Sequence, residues 1–247
     1  MSIQFNDTTN RKGLVQFYEK EIGARRGLIS GDSNLLKDFT ADVNVALDDY
    51  LNLAIKSSGN WQFDDSNQTD YPMIKTNLIS GQRSYVFTVD ETDNLILDIY
   101  RVMVADSAGV FKEISPIDQQ TYGSNTTSFY DGKNNTGKPE TYDKTANGIF
   151  LDPIPNYSLT NGLKIFINRE TTYFTSSATT KKPGVPGIHH KYFYLKPALE
   201  YVRRNSLGNY SALSNQVSLL EEEIKKYFGL REKDVKKRLS FNVENNK

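Results

Sequence analysis

Apolar residues recur with helical spacing at both ends of the chain and with strand spacing in its middle. From Leu35 to Ala54 they follow one stripe with a period near 3.6 residues, and a second such stripe runs from Leu213 to Phe228. Leaving an amphipathic face in water forfeits about 25 cal/mol for every Å² of apolar surface. We therefore expect the helices of the two ends to cover each other, with the strands inserted between them.

Turn-forming and capping residues predict where the helices begin and end. A short helix is expected over Leu14–Ile22, and Asp32 or Ser33 can cap the first amides of the long helix that follows. Gly229 is the predicted stop of the last helix. Helical periodicity returns with Tyr192, Leu195, Leu199 and Val202. Pro197 either kinks this helix or fixes its start at the first turn, and the sequence leaves both possibilities open.

The middle of the chain has the alternation and β-branched content of strands. A strand is predicted at Tyr85–Val89, and Leu95–Ala105 should pair with Val110–Ile114 as a hairpin. Two more strands are predicted at Gly148–Pro153 and Leu163–Asn168, separated by a turn rich in Pro, Asn and Gly.

These patterns predict an α+β protein with three consecutive parts. Residues 1–75 form an N-terminal helical part, 76–182 an inserted antiparallel β-rich and sandwich-like module, and 183–247 a C-terminal helical part. The last part carries a charged tail and is expected to pack with the first as a helical bundle. Within the module, Tyr122–Lys144 is dominated by Gly, Asn, Ser, Thr and Asp, which predicts a long surface loop.

Composition excludes several functional classes. The chain has no Cys and only two His, and its 30 basic and 30 acidic side chains cancel, so no overall field would draw it to nucleic acid or to an anionic membrane. The polar N-terminus and the lack of a long apolar window predict neither a signal peptide nor a membrane span. A soluble protein of a reducing compartment fits these features.

No catalytic or cofactor motif stands out. His189 and His190 are adjacent, so they cannot share one helix face as a zinc pair; we expect one to cap a helix or pack under the Pro-Gly turn and the other to be solvated. No phosphate-binding glycine loop is present, and acidic runs such as Glu221–Glu223 are typical of a wet surface. We expect the basic pair Arg203–Arg204 to form ion pairs with the abundant acidic side chains of the chain. We predict no enzyme activity, no metal and no cofactor.

The order of four motifs suggests a family. After an opening helical hairpin come Leu78–Tyr85 (LISGQRSY), Leu97–Val104 (LDIYRVMV), Gly148–Pro155 (GIFLDPIP) and Pro183–His190 (PGVPGIHH). In this order they resemble the head-to-tail adaptor proteins of tailed bacteriophages, and the likeness covers most of the chain. The long Asn- and Thr-rich loop and Pro197 depart from the family's pattern.

The resemblance implies a structural virion protein. Adaptors of this family form a neck ring, commonly twelve-fold, under the portal of the capsid, where they help close the head after DNA packaging and give the tail a platform. The implied partners are further copies of the chain, the portal protein, other neck or tail proteins, and genomic DNA passing without sequence-specific binding. Such a protein is assembled in the host bacterial cytoplasm and ends up in the virion, with no membrane contact.

Two surfaces follow as candidates for these contacts. The subunit or portal contact falls on the last helix and the tail, at Leu213, Val217, Leu220, Ile224, Tyr227, Phe228, Lys236, Lys237 and Arg238. The tail-side contact falls on the long loop, at Thr126, Phe129, Tyr130, Asn134 and Asn135.

Two other functions remain open from sequence. The 15 Tyr and 13 Phe could form a carbohydrate- or ligand-binding β module of a virion fibre or adhesin, and exposed coplanar rings would favour this alternative. A hydrolase with dispersed acids would need converging carboxylates with shifted pKa values.

Overall fold

The computed structural model describes residues 3–58, 73–89, 95–117, 135–145 and 147–231. Contacts within the chain divide it into two compact units. The helical unit comprises Met1–Trp61, Phe174–Lys182 and Gly187–Lys247, and the β unit comprises Gln62–Tyr173 and Pro183–Pro186. The chain is thus an α+β protein in which both ends contribute to one unit.

The segment Phe174–Lys182 belongs to the helical unit, whereas the predicted division placed it in the β module. Its backbone is tied to the N-terminal segment, since Phe5 N–H donates to the carbonyl of Lys181 at 2.7 Å. The Phe174 ring also stacks on Phe5 with 4.8 Å between centroids. These contacts place the segment in the helical unit, and its polar composition gave no sign of them.

Five helices are described. The predicted helices over Leu14–Ile22 and from Leu35 are confirmed, while the short second helix was not predicted. The helices are α1 Leu14–Glu21, α2 Leu28–Gly31, α3 Ser33–Ser58, α4 Tyr192–Arg204 and α5 Tyr210–Arg231.

Helix α3 forms as its sequence predicts. The Asp32 carboxylate accepts the amide hydrogens of Asn34 and Leu35 at 2.8 and 3.1 Å, which satisfies donors that the first turn would otherwise leave free. The apolar stripe is half-buried at Leu35 and Leu36 and buried from Phe39 to Ala54. Helix α3 packs against both α4 and α5, so its stripe is covered by helices from the other end of the chain.

Two predictions about single residues in the C-terminal helices are now decided. Pro197 lies inside α4, six residues into the helix, so it does not set the helix start. It removes the amide that would bond to the carbonyl of Phe193.

Gly229 does not end α5, which continues through it to Arg231. A Cβ at this position would lie 3.9 Å from the Ser57 carbonyl oxygen of α3, an ordinary van der Waals contact, so nothing in the structure explains the glycine.

The opening helices do not form the predicted hairpin. Helix α1 packs mainly against α4, where Phe17 stacks on Tyr194 at 5.1 Å. The connection to α3 is held by the buried carboxylate of Glu19, which accepts amide hydrogens from Gly27, Ile29 and Ser30.

Nine strands are described, and the predicted strands after Tyr85 all have counterparts among them. They are β1 Met73–Leu78, β2 Ser84–Val86, β3 Ile96–Ala105, β4 Phe111–Pro116, β5 Thr136–Gly137, β6 Thr141–Thr145, β7 Gly148–Asp152, β8 Ile154–Pro155 and β9 Leu159–Arg169.

Seven of these strands form one sheet in the order β1-β9-β3-β4-β6-β7-β2. The predicted β3–β4 hairpin is confirmed, and all neighbours are antiparallel except β4 and β6. Buried residues from all seven strands, such as Leu78, Val102, Tyr142 and Leu151, belong to one hydrophobic cluster. The edge strands β1 and β2 both contribute to this cluster, so one curled sheet surrounds the core, and the predicted antiparallel β-rich module is confirmed.

Part of the predicted loop over Tyr122–Lys144 is regular structure. Residues Thr141–Lys144 belong to β6, because Tyr142 buries its ring in the sheet core and pairs with Leu151 of β7. The polar residues on either side masked this single apolar anchor in the sequence. The loop prediction for residues 122–134 lies outside the described residues.

Candidate functional site

The predicted contact stripe of α5 lies inside the protein's own core. Leu213, Val217, Leu220, Ile224 and Phe228 are each at most 3% exposed, and Phe228 meets Tyr50 edge to face at 5.8 Å. Tyr227 is half-buried, with its ring edge against His189 at 4.9 Å. Because α3 and α4 cover the stripe, it offers no free surface to another subunit. The candidates Lys236, Lys237 and Arg238 lie outside the described residues.

The opposite face of α5 is the one that another molecule can reach. Leu219 and Leu230 are 62% and 59% exposed, and Glu222 and Lys226 between them are exposed as well. These positions follow helical spacing, so they form a second row along the helix. We call Leu219, Glu222, Lys226 and Leu230 the outer row of α5. Sequence periodicity pointed only to the buried stripe.

A partly exposed polar cluster links three helices. Lys196 of α4 lies 3.1 Å from Glu221 of α5 and 3.4 Å from Asp49 of α3. The Tyr192 hydroxyl also donates to Glu221 at 3.2 Å. Burial acts to lower the pKa of Lys196, but the two carboxylates outweigh it and raise that pKa. The ammonium is held charged between acids, which suits a fixed helix–helix contact and not a nucleophile.

The two histidines are both buried, so the prediction that one is solvated is wrong. His189 Nδ1 shares a 2.7 Å hydrogen bond with the Tyr50 hydroxyl, and burial lowers the pKa of His189 to about 4. His190 Nδ1 accepts the amide hydrogen of Ile3 at 2.9 Å. The short 3-10 turn Gly187–His189 and the start of α4 turn both rings inward. They serve as buried polar anchors for α3 and for the N-terminal segment.

The basic pair on α4 is engaged with acids, as predicted. Arg203 lies 2.6 Å from Glu200, and Arg204 pairs with Asp42 of α3. Burial raises the pKa of Asp42 although Arg204 acts in the opposite direction. Arg204 thus joins α4 to α3, whereas Arg203 pairs within α4, and neither is a free phosphate-binding spot.

An open cavity of about 410 Å³ lies at the connection between α1 and α3. It is lined by Arg25, Arg26, Gly27, Leu28, Gly31 and Asp32. Its one carboxylate, on Asp32, is occupied in capping α3. The cavity therefore presents no carboxylate pair for acid–base chemistry.

Within the described ranges there is no group of three His, Asp or Glu side chains placed to hold a metal ion. Among those residues no helix is long and apolar enough to cross a membrane.

The candidate tail-side residues can be placed only in part. Thr126, Phe129, Tyr130 and Asn134 lie outside the described residues. Asn135 is exposed, and its carbonyl accepts the amide hydrogen of Ile154 at 2.9 Å beside the β5–β8 pair. Comparison with known proteins yields no matching family model and no matching curated protein.

Proposed function

We propose that this chain is a head-to-tail adaptor of a tailed bacteriophage, a structural subunit that repeats around a neck ring between portal and tail. The observation that carries the proposal is the division of the chain. Helices from both ends share one unit, while the middle forms a separate β unit with its own core. Such a subunit can hold its neighbours and the portal through one unit and present the other to the tail. The order of motifs LISGQRSY, LDIYRVMV, GIFLDPIP and PGVPGIHH supports the same reading.

In this proposal the helices of the two ends form a bundle that serves as the fixed frame of the subunit. The Lys196 cluster and the Arg204–Asp42 pair join helices from opposite ends of the chain. These pairs are partly exposed, so each contributes modestly, and together they favour one relative placement of these helices. A ring subunit needs such a frame because every copy must present the same surfaces at the same angles.

Contacts with the portal then fall to surfaces that the frame leaves open. The basic residues Lys236, Lys237 and Arg238 follow α5 in the sequence and are suited to acidic groups of a partner. DNA passes through the ring without being held, which agrees with 30 basic and 30 acidic side chains. The protein acts by assembly, without turnover.

The ligand-binding alternative has less support. Tyr85 and Tyr142 are buried in the sheet core. Phe166 is tilted by 50° from Tyr100 and covered by the guanidinium of Arg101, 5.2 Å from its centroid. Lys164 lies over the ring of Phe111 at 3.7 Å. Rings that are buried or covered by cations offer no flat stacking platform for a sugar.

Mixing the purified full-length chain with its cognate portal ring tests the proposal by native mass spectrometry. We expect a complex in which the number of added chains matches the symmetry of the portal. A portal that gains no chains at micromolar concentration would overturn the proposal.

Variants locate the contact. Reversing the charge at Lys236, Lys237 and Arg238 together should weaken portal binding about tenfold or more, since three exposed ion pairs each contribute up to about 1 kcal/mol. Lys225→Glu, at an exposed position of α5, is the matched control and should bind as the wild type does. Equal binding by the triple variant would remove the tail from the contact.

A further inference from the structure

The outer row of α5 has an unusual arrangement of apolar and charged side chains. Leu219 and Leu230 stand at its ends, and Glu222 and Lys226 stand between them. At about 100° per residue, the four positions fall within an arc of about 80° on the side away from the buried stripe. The row therefore presents two apolar side chains, 62% and 59% exposed, and two opposite charges on one side of the helix.

The charges of the row have no partner in the described part of the chain. Neither Glu222 nor Lys226 joins a salt bridge there, although neighbouring Glu221 pairs with Lys196 and Glu223 lies 3.8 Å from Lys191. The spacing of four residues would allow Glu222 and Lys226 to pair with each other, yet they do not. Both side chains are therefore available to a second molecule.

We infer that the outer row of α5 docks against the same row of a second copy of this chain, with the two helices antiparallel across a two-fold axis. If the axis passes level with residue 224, Glu222 of each copy faces Lys226 of the other. In the same register, to within about half a residue, Leu219 of each copy faces Leu230 of the other. One alignment thus pairs both apolar ends and both sets of opposite charges.

The row is self-complementary only in this antiparallel arrangement. A parallel two-fold pairing would set Glu222 against Glu222 and Lys226 against Lys226, and like charges in contact are destabilising. An isologous contact of this kind makes a closed dimer, whereas a ring requires two different surfaces on each subunit. The inference is therefore independent of the neck-ring proposal and describes the chain when the portal is absent.

The contact is small. Leu219 to Leu230 spans about 16 Å, or three turns of helix. Two helices meeting over that length form an interface at the low end of specific contacts, so we expect a dissociation constant on the order of 100 μM. Such a dimer forms when the chain is concentrated. It dissociates when the chain binds a partner through a larger interface.

Sedimentation velocity of the full-length chain, from about 10 μM to about 1 mM, tests the dimer. The wild type should pass from monomer to dimer over this range. Glu222→Lys and Lys226→Glu should each raise the dissociation constant about tenfold, because each places like charges in contact twice. The double variant should regain the wild-type value, since its pairs are restored with exchanged signs.

Mixing the two single variants gives the sharpest result. One carries Lys at both positions and the other Glu at both, so their heterodimer has opposite charges at every contact. With one variant fluorescently labelled, we expect the mixture to associate at least as tightly as the wild type. The control Lys225→Glu changes the same charge about 100° around the helix and should dimerise normally. A wild type that stays monomeric, or a mixture that associates no better than either variant alone, refutes the inference.

Discussion

His189 makes the stability of the helical unit depend on pH in a specific direction. Its side chain is 2% exposed and bonds to the fully buried hydroxyl of Tyr50. Burial, aided by His190 and Lys191 and opposed by Glu223, lowers its pKa to about 4. In the unfolded chain the group has a pKa near 6.5. Between these two values the unfolded state binds a proton that the folded state does not.

The sign and size of the effect follow from that difference. Stability from neutral His189 is fully present above pH 6.5 and is lost as the pH falls towards 4. A difference of about 2.5 between the two pKa values, at about 1.36 kcal/mol each, corresponds to about 3 kcal/mol. This is a large part of the total for a domain of ordinary stability.

Urea unfolding of the wild type and of His189→Asn, from pH 7 to pH 4, measures the effect. Asparagine keeps a polar group near the position of Nδ1 but cannot titrate in this range. The variant should be less stable at pH 7, and its deficit should shrink by about 3 kcal/mol, or reverse, by pH 4. Taking the difference between the two proteins removes the carboxylates and His190 from the comparison. A difference that stays constant with pH would refute the assignment of a lowered pKa to His189.

Four further substitutions test the packing. Ile224→Ala should cost about 2 to 5 kcal/mol in urea unfolding and Leu219→Ala less than about 0.5, because only Ile224 is buried; equal effects would contradict the assignment of the two faces of α5. Glu19→Gln should cost about 2 kcal/mol or more, because the carboxylate accepts three backbone amide hydrogens; an unchanged urea midpoint would count against this role. Gly148→Ala places a methyl group 2.0 Å from the Tyr85 carbonyl oxygen, so amide exchange in β2 should quicken, and unchanged protection would refute that close approach.

The features of the fold that the sequence predicted rest on strong local patterns. The stripe from Leu35 to Ala54 and the stripe from Leu213 to Phe228 each repeat over several turns, and Asp32 is a standard cap, so these helices were predictable. Strand β3 and its partner β4 flank Ala108–Gly109, which marked the hairpin. In each case the deciding residues are close together in the chain.

The features that sequence missed depend on residues far apart. Strand β1 has only weak alternation and gains its place by pairing with β9, about 90 residues later. Phe174 joins the helical unit through Phe5 at the other end of the chain. His190 Nδ1 accepts the amide hydrogen of Ile3, which lies 187 residues earlier in the chain. No local pattern records such a partner.

The candidate site shows the same limit. Periodicity identified the apolar stripe of α5 and predicted that helices of the N-terminal part would cover it, and α3 does so together with α4. The same pattern of apolar residues is expected of a helix that contacts another subunit and of a helix that packs in the protein's own core. The exposed residues Leu219 and Leu230 mark the accessible face of α5, and their exposure becomes known only when the helix is placed in the fold.

Electron microscopy of the portal with this chain and the tail proteins bound tests the central claim most directly. The account predicts a ring of copies between portal and tail, with density for the helical unit at the portal and for the β unit towards the tail. A portal–tail junction that is complete without this chain would contradict it.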